Sequence, residues 1–125
     1  MTLLYEDLTR SILQCAYKVH SALGPGLLES AYEECLHYEL DKIGIFAVKQ
    51  KPMPLVYENK KLDLGYRIDL LVEDKVIIEV KSVDAVNPVH LAQLMTYLKI
   101  SGCRIGFLIN FNVESLKNGI KRVIL

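Results

Sequence analysis

Apolar positions at Leu4, Leu8, Ile12, Cys15, Ala16, Val19 and Leu23 recur every three or four residues, which predicts one buried face of an amphipathic helix. Gly24-Pro25-Gly26 breaks that helix, and a second stripe follows at Leu28, Tyr32, Cys35, Leu36, Glu39, Leu40 and Ile43, closed by Gly44. From Phe46 the period falls towards two. The segment around Val48 to Tyr57 carries Pro52 and Pro54, which donate no ladder hydrogen bond and so predict a sheet edge or a bulge. Glu58-Asn59-Lys60-Lys61 reads as a polar turn, followed by a strand over about 62–72, a tight turn at Glu73-Asp74-Lys75, and a strand over 76–83. That last strand, VIIEVKSV, is apolar at nearly every position, as expected where both faces are covered.

Asn87 caps and Pro88 opens a third helix that runs to about Ser101, with Gly102 beyond its end. RIGFLIN, over 104–110, is another buried strand. A strand, a helix and a strand in that order predict a βαβ unit with parallel strands and a right-handed crossover. A short turn or helix after Asn112 leads to a final strand near 121–125. The fold class is therefore α/β, and 125 residues leave room for one domain spanning 1–125.

Composition adds mainly exclusions. The share of Leu, Ile, Val and Phe rules out a disordered chain. Fifteen basic residues balance fifteen acidic ones, so any contact with nucleic acid must rest on local placement of charge. Cys15, Cys35 and Cys103 are odd in number and form no CxxC pair, which predicts buried thiols. Glu6 and Asp7 stand where a secretory leader would be basic, and no run approaches 18 apolar residues, so a cytoplasmic location is expected.

The informative anomaly is Glu79 and Lys81. Side chains alternate along a strand, so both point to one face of an otherwise apolar segment, and burying them costs several kcal/mol each unless they are paired or bind a metal. If Val72 pairs with Val76, counting back along the antiparallel ladder sets Asp69 opposite Glu79, with Cβ atoms about 4.5–5.5 Å apart. Two such carboxylates repel unless a cation sits between them, and a hard divalent ion such as Mg²⁺ suits the pair. The sequence contains E-x-K at 58–60 and 73–75 as well, but those lie in polar turns where an exposed charge costs nothing. The bland alternative is a functionless buried ion pair between Lys81 and Asp69 or Glu79.

Two further features can reach the same face. Leu91, Leu94, Met95 and Leu98 form the core stripe of the third helix, while His90, Gln93 and Tyr97 form a polar stripe that reads either as a solvated flank or as donors to a phosphate. For His90 a capping or surface role is expected. Glu29 in the first turn of the second helix either complements the helix dipole or joins Asp69 and Glu79 as a third acid, with Tyr32 bracing it.

With these residues assembled, the chain resembles the GxxExxY family, a branch of the PD-(D/E)XK nuclease superfamily. LGPGLLESAY, Gln50-Lys51-Pro52, LGYRIDLLVEDKVIIEVKSV, HLAQLMTYL and GFLINF carry the resemblance. It implies a restriction-endonuclease-like αβββαβ core with a mixed central sheet and an extra N-terminal helix. It also implies a nuclease centre in which Asp69, Glu79 and the Val80 backbone carbonyl hold Mg²⁺ or Mn²⁺ and Lys81 orients or activates the attacking water. Gln93 and Tyr97 fall at a Q-x-x-x-Y position, and Glu29, counted with the catalytic residues, at that of an acid on the leading helix, so these three would position substrate or metal-bound waters. Ile68 stands where proline precedes the aspartate. The implied activity is metal-dependent phosphodiester hydrolysis of nucleic acid, with DNA the expected partner; the alternative is a catalytically inactive nucleic-acid-binding or protein-interaction module of the same fold. Lys49, Lys51, Lys60 and Lys61, or Lys117, Lys121 and Arg122, could meet phosphates or simply solvate turns. Because so small a chain offers little surface to a duplex, a homodimer through the edge strand or leading helix is one arrangement that it could take.

Overall fold

The computed structural model describes residues 5–125; Leu4 lies outside the described residues. Helix α1 (Glu6–Leu23) buries Ile12, Cys15, Ala16 and Val19, as the stripe predicts, while Leu23 at its end is exposed. Gly24, at φ 67°, lets the chain turn out of the helix while its N–H still bonds the His20 carbonyl at 2.8 Å. Helix α2 (Glu29–Lys42) buries Tyr32, Leu36 and Leu40. Leu28 and Ile43 cap its ends and are exposed, and Cys35 is only half-buried, unlike the buried thiols Cys15 and Cys103.

The extended half of the chain is divided more finely than the period-two pattern predicts. Strand β1 (Ala47–Pro52) joins the main sheet as an edge, whereas β2 (Leu55–Tyr57) leaves it after Pro52 and Pro54 to pair with β3 (Lys60–Leu62) in a separate hairpin. Glu58 and Asn59, at φ 49° and 67°, close that hairpin as a two-residue turn whose twist matches the strands, so Lys60 and Lys61 belong to β3 rather than to the turn. Asp63 then accepts the Gly65 N–H at 3.2 Å, a local bond that competes with ladder pairing and separates β3 from β4 (Arg67–Val72). Strand β5 (Val76–Lys81) ends two residues earlier than predicted.

Helix α3 (Pro88–Ser101) begins on a reciprocal cap: the Asn87 side chain accepts from the Val89 N–H at 2.9 Å, and His90 Nδ1 accepts from the Asn87 N–H at 3.1 Å. His90 is thus a capping residue, as expected. Strand β6 (Ile105–Asn110), a 3₁₀ turn (Leu116–Gly119) and β7 (Ile120–Ile124) complete the fold. The mixed five-stranded sheet has the order β1-β4-β5-β6-β7, with β5 and β6 parallel and the other pairs antiparallel. Three helices and this sheet agree with the expected restriction-endonuclease-like architecture. No helix among the described residues is long and apolar enough to cross a membrane.

Alternation along the strands sorts two cores. Val76, Ile78 and Val80 of β5 and Ile105, Phe107 and Ile109 of β6 pack beneath α1 and α2. Ile77 and Leu108 face the other way, onto Leu94, Tyr97 and Leu98 of α3. Tyr97 therefore belongs to the core and not to a solvated flank, because α3 lies across β5 and β6 with Tyr97 packed in the cluster of Ile68, Leu71 and Ile77.

Asn110 secures the chain where it leaves β5. It lies beside Lys81 in the parallel register, its amide donates to the Val83 carbonyl at 2.9 Å, and its Oδ1 accepts the N–H groups of Val83 and Asn112 at 3.1 and 3.2 Å. Replacing Asn110 by alanine leaves these half-buried groups without a partner. Urea unfolding of Asn110→Ala should show a loss of about 2–3 kcal/mol, and no loss would mean that the turn after β5 is held by its other contacts.

Candidate active site

Strands β4 and β5 pair from Val72↔Val76 to Leu70↔Ile78, the register expected from the sequence. The next step would set Asp69 against Glu79, and there the backbone ladder gives way to side chains. The Asp69 N–H donates to Glu79 Oε2 at 2.9 Å, and the Val80 N–H donates to Asp69 Oδ2 at 2.8 Å. Each carboxylate thus reaches across to the main chain of the opposite strand. Alternation in β4 slips at the same place: Ile68 and Leu71, three residues apart, both pack in the α3 core. A regular strand would turn them to opposite faces.

The edge strand β1 is disturbed at the same level. Lys49↔Leu70 and Lys51↔Ile68 are paired, but the step between them is skipped, and Gln50 there has φ 53°. A non-glycine residue in that region costs of order 1–3 kcal/mol, which the surrounding contacts must offset. The side chain supplies them. Gln50 Nε2 donates to Glu33 Oε1 at 2.6 Å and lies 3.4 Å from Asp69 Oδ1, so a single amide spans two acids.

Helix α2 brings its acidic turn to this gap. Glu29 and Glu33, four apart and hence on one face, line with Gln50, Asp69 and Val80 a cavity of about 550 Å³. Glu29 Oε2 accepts the Ser82 N–H at 3.1 Å, and the Ser82 hydroxyl donates to the Leu27 carbonyl at 2.6 Å, so the end of β5 and the start of α2 are stitched together. Tyr32 does not brace Glu29. Its hydroxyl donates to the Gly24 carbonyl at 2.5 Å and accepts the Leu27 N–H at 3.1 Å, while its ring stacks on Phe111 with centroids 4.5 Å apart. Tyr32 holds the loop from which α2 starts, and Glu29 follows from that.

Glu33 and Gln50 are the residues that the sequence reading left without a role. Glu33 could have been found, because it sits three before Leu36 and seven before Leu40 and so falls on the buried stripe. Gln50 stands out only as part of the Gln50-Lys51-Pro52 motif, which assigns it no role, since its contribution comes from a backbone conformation that propensity does not reveal.

The electrostatics follow from burial. Glu79 is 4% exposed, and burial, with Asp69 beside it, pushes its carboxyl up to about 8. Burial also raises Asp69, against the opposing pull of the Val80 N–H and the Lys81 charge. Glu33 is raised by burial and by Asp69. Lys81 forms no ion pair within 4 Å among the described residues, so the functionless buried pair is not what the structure contains. Its charge acts on both acids from a longer range.

On the α3 side of the pair, burial and the charges of Glu79 and Asp69 push the Tyr97 hydroxyl up to about 12. Gln93, one turn earlier on α3, shares with Tyr97 a second cavity and does not line the acidic one. Of the expected site residues, Glu29, Asp69 and Val80 line one cavity and Gln93 with Tyr97 the other, whereas buried Glu79 and half-buried Lys81 line neither. Of the basic residues considered, Lys49 is engaged with Glu34 at 2.9 Å.

The donor set suits a hard divalent ion. Asp69 and Glu79 each retain an oxygen beyond those bonded to the main chain, and Asp69 and Val80 line the acidic cavity while Glu79 is buried beside Asp69. Among the described residues no three His, Cys, Asp or Glu side chains form a ready ligand cluster, which is compatible with an ion that keeps several waters and takes one or two carboxylates.

The pH dependence of stability tests the acidic pair. A carboxyl whose folded value is raised binds a proton more tightly in the folded state, so metal-free protein should lose stability as pH climbs from about 4.5 to about 8. Glu79→Gln keeps an acceptor for the Asp69 N–H and removes the charge. It should exceed the parent by roughly 1–3 kcal/mol at pH 8.5 and lose that advantage below pH 4.5, by urea unfolding in EDTA. Parallel pH profiles for the two proteins would show that the pair is not buried as described.

A family model described as the PD-(D/E)XK nuclease superfamily matches residues 6–123 of the chain. No curated protein and no solved structure gives a significant match.

Proposed function

Since the chain belongs to the PD-(D/E)XK nuclease superfamily, we propose that it is a divalent-metal-dependent phosphodiester hydrolase acting on nucleic acid, with DNA the expected substrate. The observation that carries the reading is the exchange of Asp69 and Glu79 carboxylates across the opened β4–β5 ladder, with Lys81 on the same strand two residues beyond Glu79. The spacing of Gly26, Glu29 and Tyr32 supports reading the chain as one of the GxxExxY branch.

In this reading Asp69, Glu79 and the Val80 carbonyl would hold Mg²⁺ or Mn²⁺. Such an ion, when bound, would shield the phosphate and make water a better nucleophile at neutral pH. The protein's part is to fix geometry and charge. Water attacks phosphorus and gives up a proton to solvent, the bond from phosphorus to the leaving oxygen breaks, and a proton from solvent restores that oxygen as a hydroxyl. Lys81 orients the water and offsets negative charge that develops on the phosphoryl oxygens. Gln50 holds the Asp69 carboxylate in place, with Glu33 anchoring the other end of its amide. Glu29 bounds the cavity on the α2 side, while Tyr97 and Gln93 position the strand from the α3 side.

Cleavage of labelled single-stranded and duplex DNA and RNA in Mn²⁺ or Mg²⁺ tests the proposal. Asp69→Asn and Lys81→Ala should each lower the rate at least about 100-fold while circular dichroism stays unchanged. Full activity in Lys81→Ala, or activity in EDTA, would overturn it, and a metal-independent nucleic-acid complex without cleavage would favour the inactive module. Mn²⁺ at 100 times its Kd should also stabilise the parent by about 2.7 kcal/mol at pH 8, and stabilise Glu79→Gln less, by calorimetry.

A further inference from the structure

A second cleft opens on the α3 side of the acidic pair. It measures about 320 Å³ and runs between the lead into the β2–β3 hairpin, where Met53 and Leu55 form one wall, and α3, which contributes Gln93, Tyr97 and Ile100. Tyr66 stands at the mouth. Its side is 45% exposed although it adjoins a cleft of largely apolar lining, so the ring presents surface to whatever enters. We infer that this cleft receives one nucleobase of a single-stranded nucleic acid, turned out beside the reactive centre; the inference rests on the nuclease reading and extends it to the form of the substrate.

Several observations favour that occupant. The volume lies at the lower end of the range for small-ligand sites, which suits a single planar ring system and not a run of polymer. Its walls are aromatic and aliphatic, as stacking requires, and stacking is tolerant of base identity because every base has a π-face. Polar groups are available to meet a base edge: Thr96 spends its hydroxyl on the Ala92 carbonyl at 3.1 Å, but the Gln93 amide in the same lining has both donor and acceptor capacity. The charges of Asp69 and Glu79 reach the Tyr97 hydroxyl at the cleft floor, so a base held there lies next to the proposed chemistry.

Charge complementarity extends the argument to the backbone of the strand. A neighbouring cavity of about 650 Å³ shares Met53 and Ile100 with the cleft, and its charged walls are Lys51 and Lys61 against Asp74 alone. A strand that leaves its base in the cleft can thus lay the following phosphates along a surface with a surplus of cations. A paired base could not enter without leaving its partner, so the arrangement selects single strands or frayed ends.

The test is binding in EDTA, where no cleavage occurs, of single-stranded oligonucleotides carrying 2-aminopurine, in DNA and RNA versions with a matched duplex. The parent should quench the fluorophore and bind either single strand more tightly than the duplex. Tyr66→Ala should weaken single-strand binding by about 5- to 150-fold and abolish the quench, whereas Tyr66→Phe should retain both. An abasic oligonucleotide should bind the parent weakly and lose nothing further in Tyr66→Ala. Equal affinity of parent and Tyr66→Ala, or an equal loss on the abasic strand, would overturn the inference, as would equal binding of duplex and single strand. Cleavage in Mn²⁺, measured separately, keeps the two readings apart. Tyr66-dependent stacking without cleavage leaves the base site standing and removes the nuclease reading, and cleavage without Tyr66-dependent binding does the reverse.

Discussion

At one step of the β4–β5 ladder the two strands stop exchanging backbone carbonyls and exchange carboxylates instead. The Asp69 and Val80 N–H groups are satisfied by Glu79 and Asp69, so these two donors keep partners although the backbone pairing has ended. The substitution creates an opening in the sheet without leaving those two N–H groups bare. It also forces two acids into a space where burial works against both charges, and the rest of the site manages that conflict.

The elements around the opening act as its frame. Tyr32 and Phe111 lock the loop that launches α2, Ser82 ties the end of β5 to Leu27 and Glu29, and Asn110 secures the turn that follows. Gln50 adopts a left-handed backbone conformation to put its amide between Glu33 and Asp69 without altering the register on either side. Strain at one residue of an edge strand is tolerable because the paired residues before and after it hold the strand in place. Both faces of β5 are covered by apolar cores, so a slip of one residue would turn Ile77 and Ile78 to the wrong sides along with Glu79.

A chain with no net charge can still concentrate charge locally. Glu29, Glu33, Asp69 and Glu79 converge on one end of the sheet, and Lys81 answers them from beyond ion-pair distance. Burial favours the protonated forms of Glu33, Asp69 and Glu79, so a cation bound as proposed would displace protons from them. Membership of the PD-(D/E)XK nuclease superfamily agrees with that chemistry, and the aromatic cleft on the α3 side gives the other flank of the sheet a character suited to bases rather than phosphates.

The sequence by itself determined the helices, the βαβ unit, the β4–β5 register and the proximity of Asp69 to Glu79, though not that side chains replace the backbone ladder there. These depend on local periodicity and on a short turn, where a few residues of counting carry little error. It did not reveal that β2 and β3 leave the sheet, since Pro52, Pro54 and the Asp63–Gly65 bond act through three-dimensional competition with a ladder that alternation alone cannot see. Nor did it reveal the role of Gln50, the burial of Tyr97 or the separation of Gln93 from the acidic cavity. Those depend on how α2, α3 and β1 lie across the sheet, and only tertiary packing decides which side of each element faces the opening, because contacts distant along the chain set that orientation.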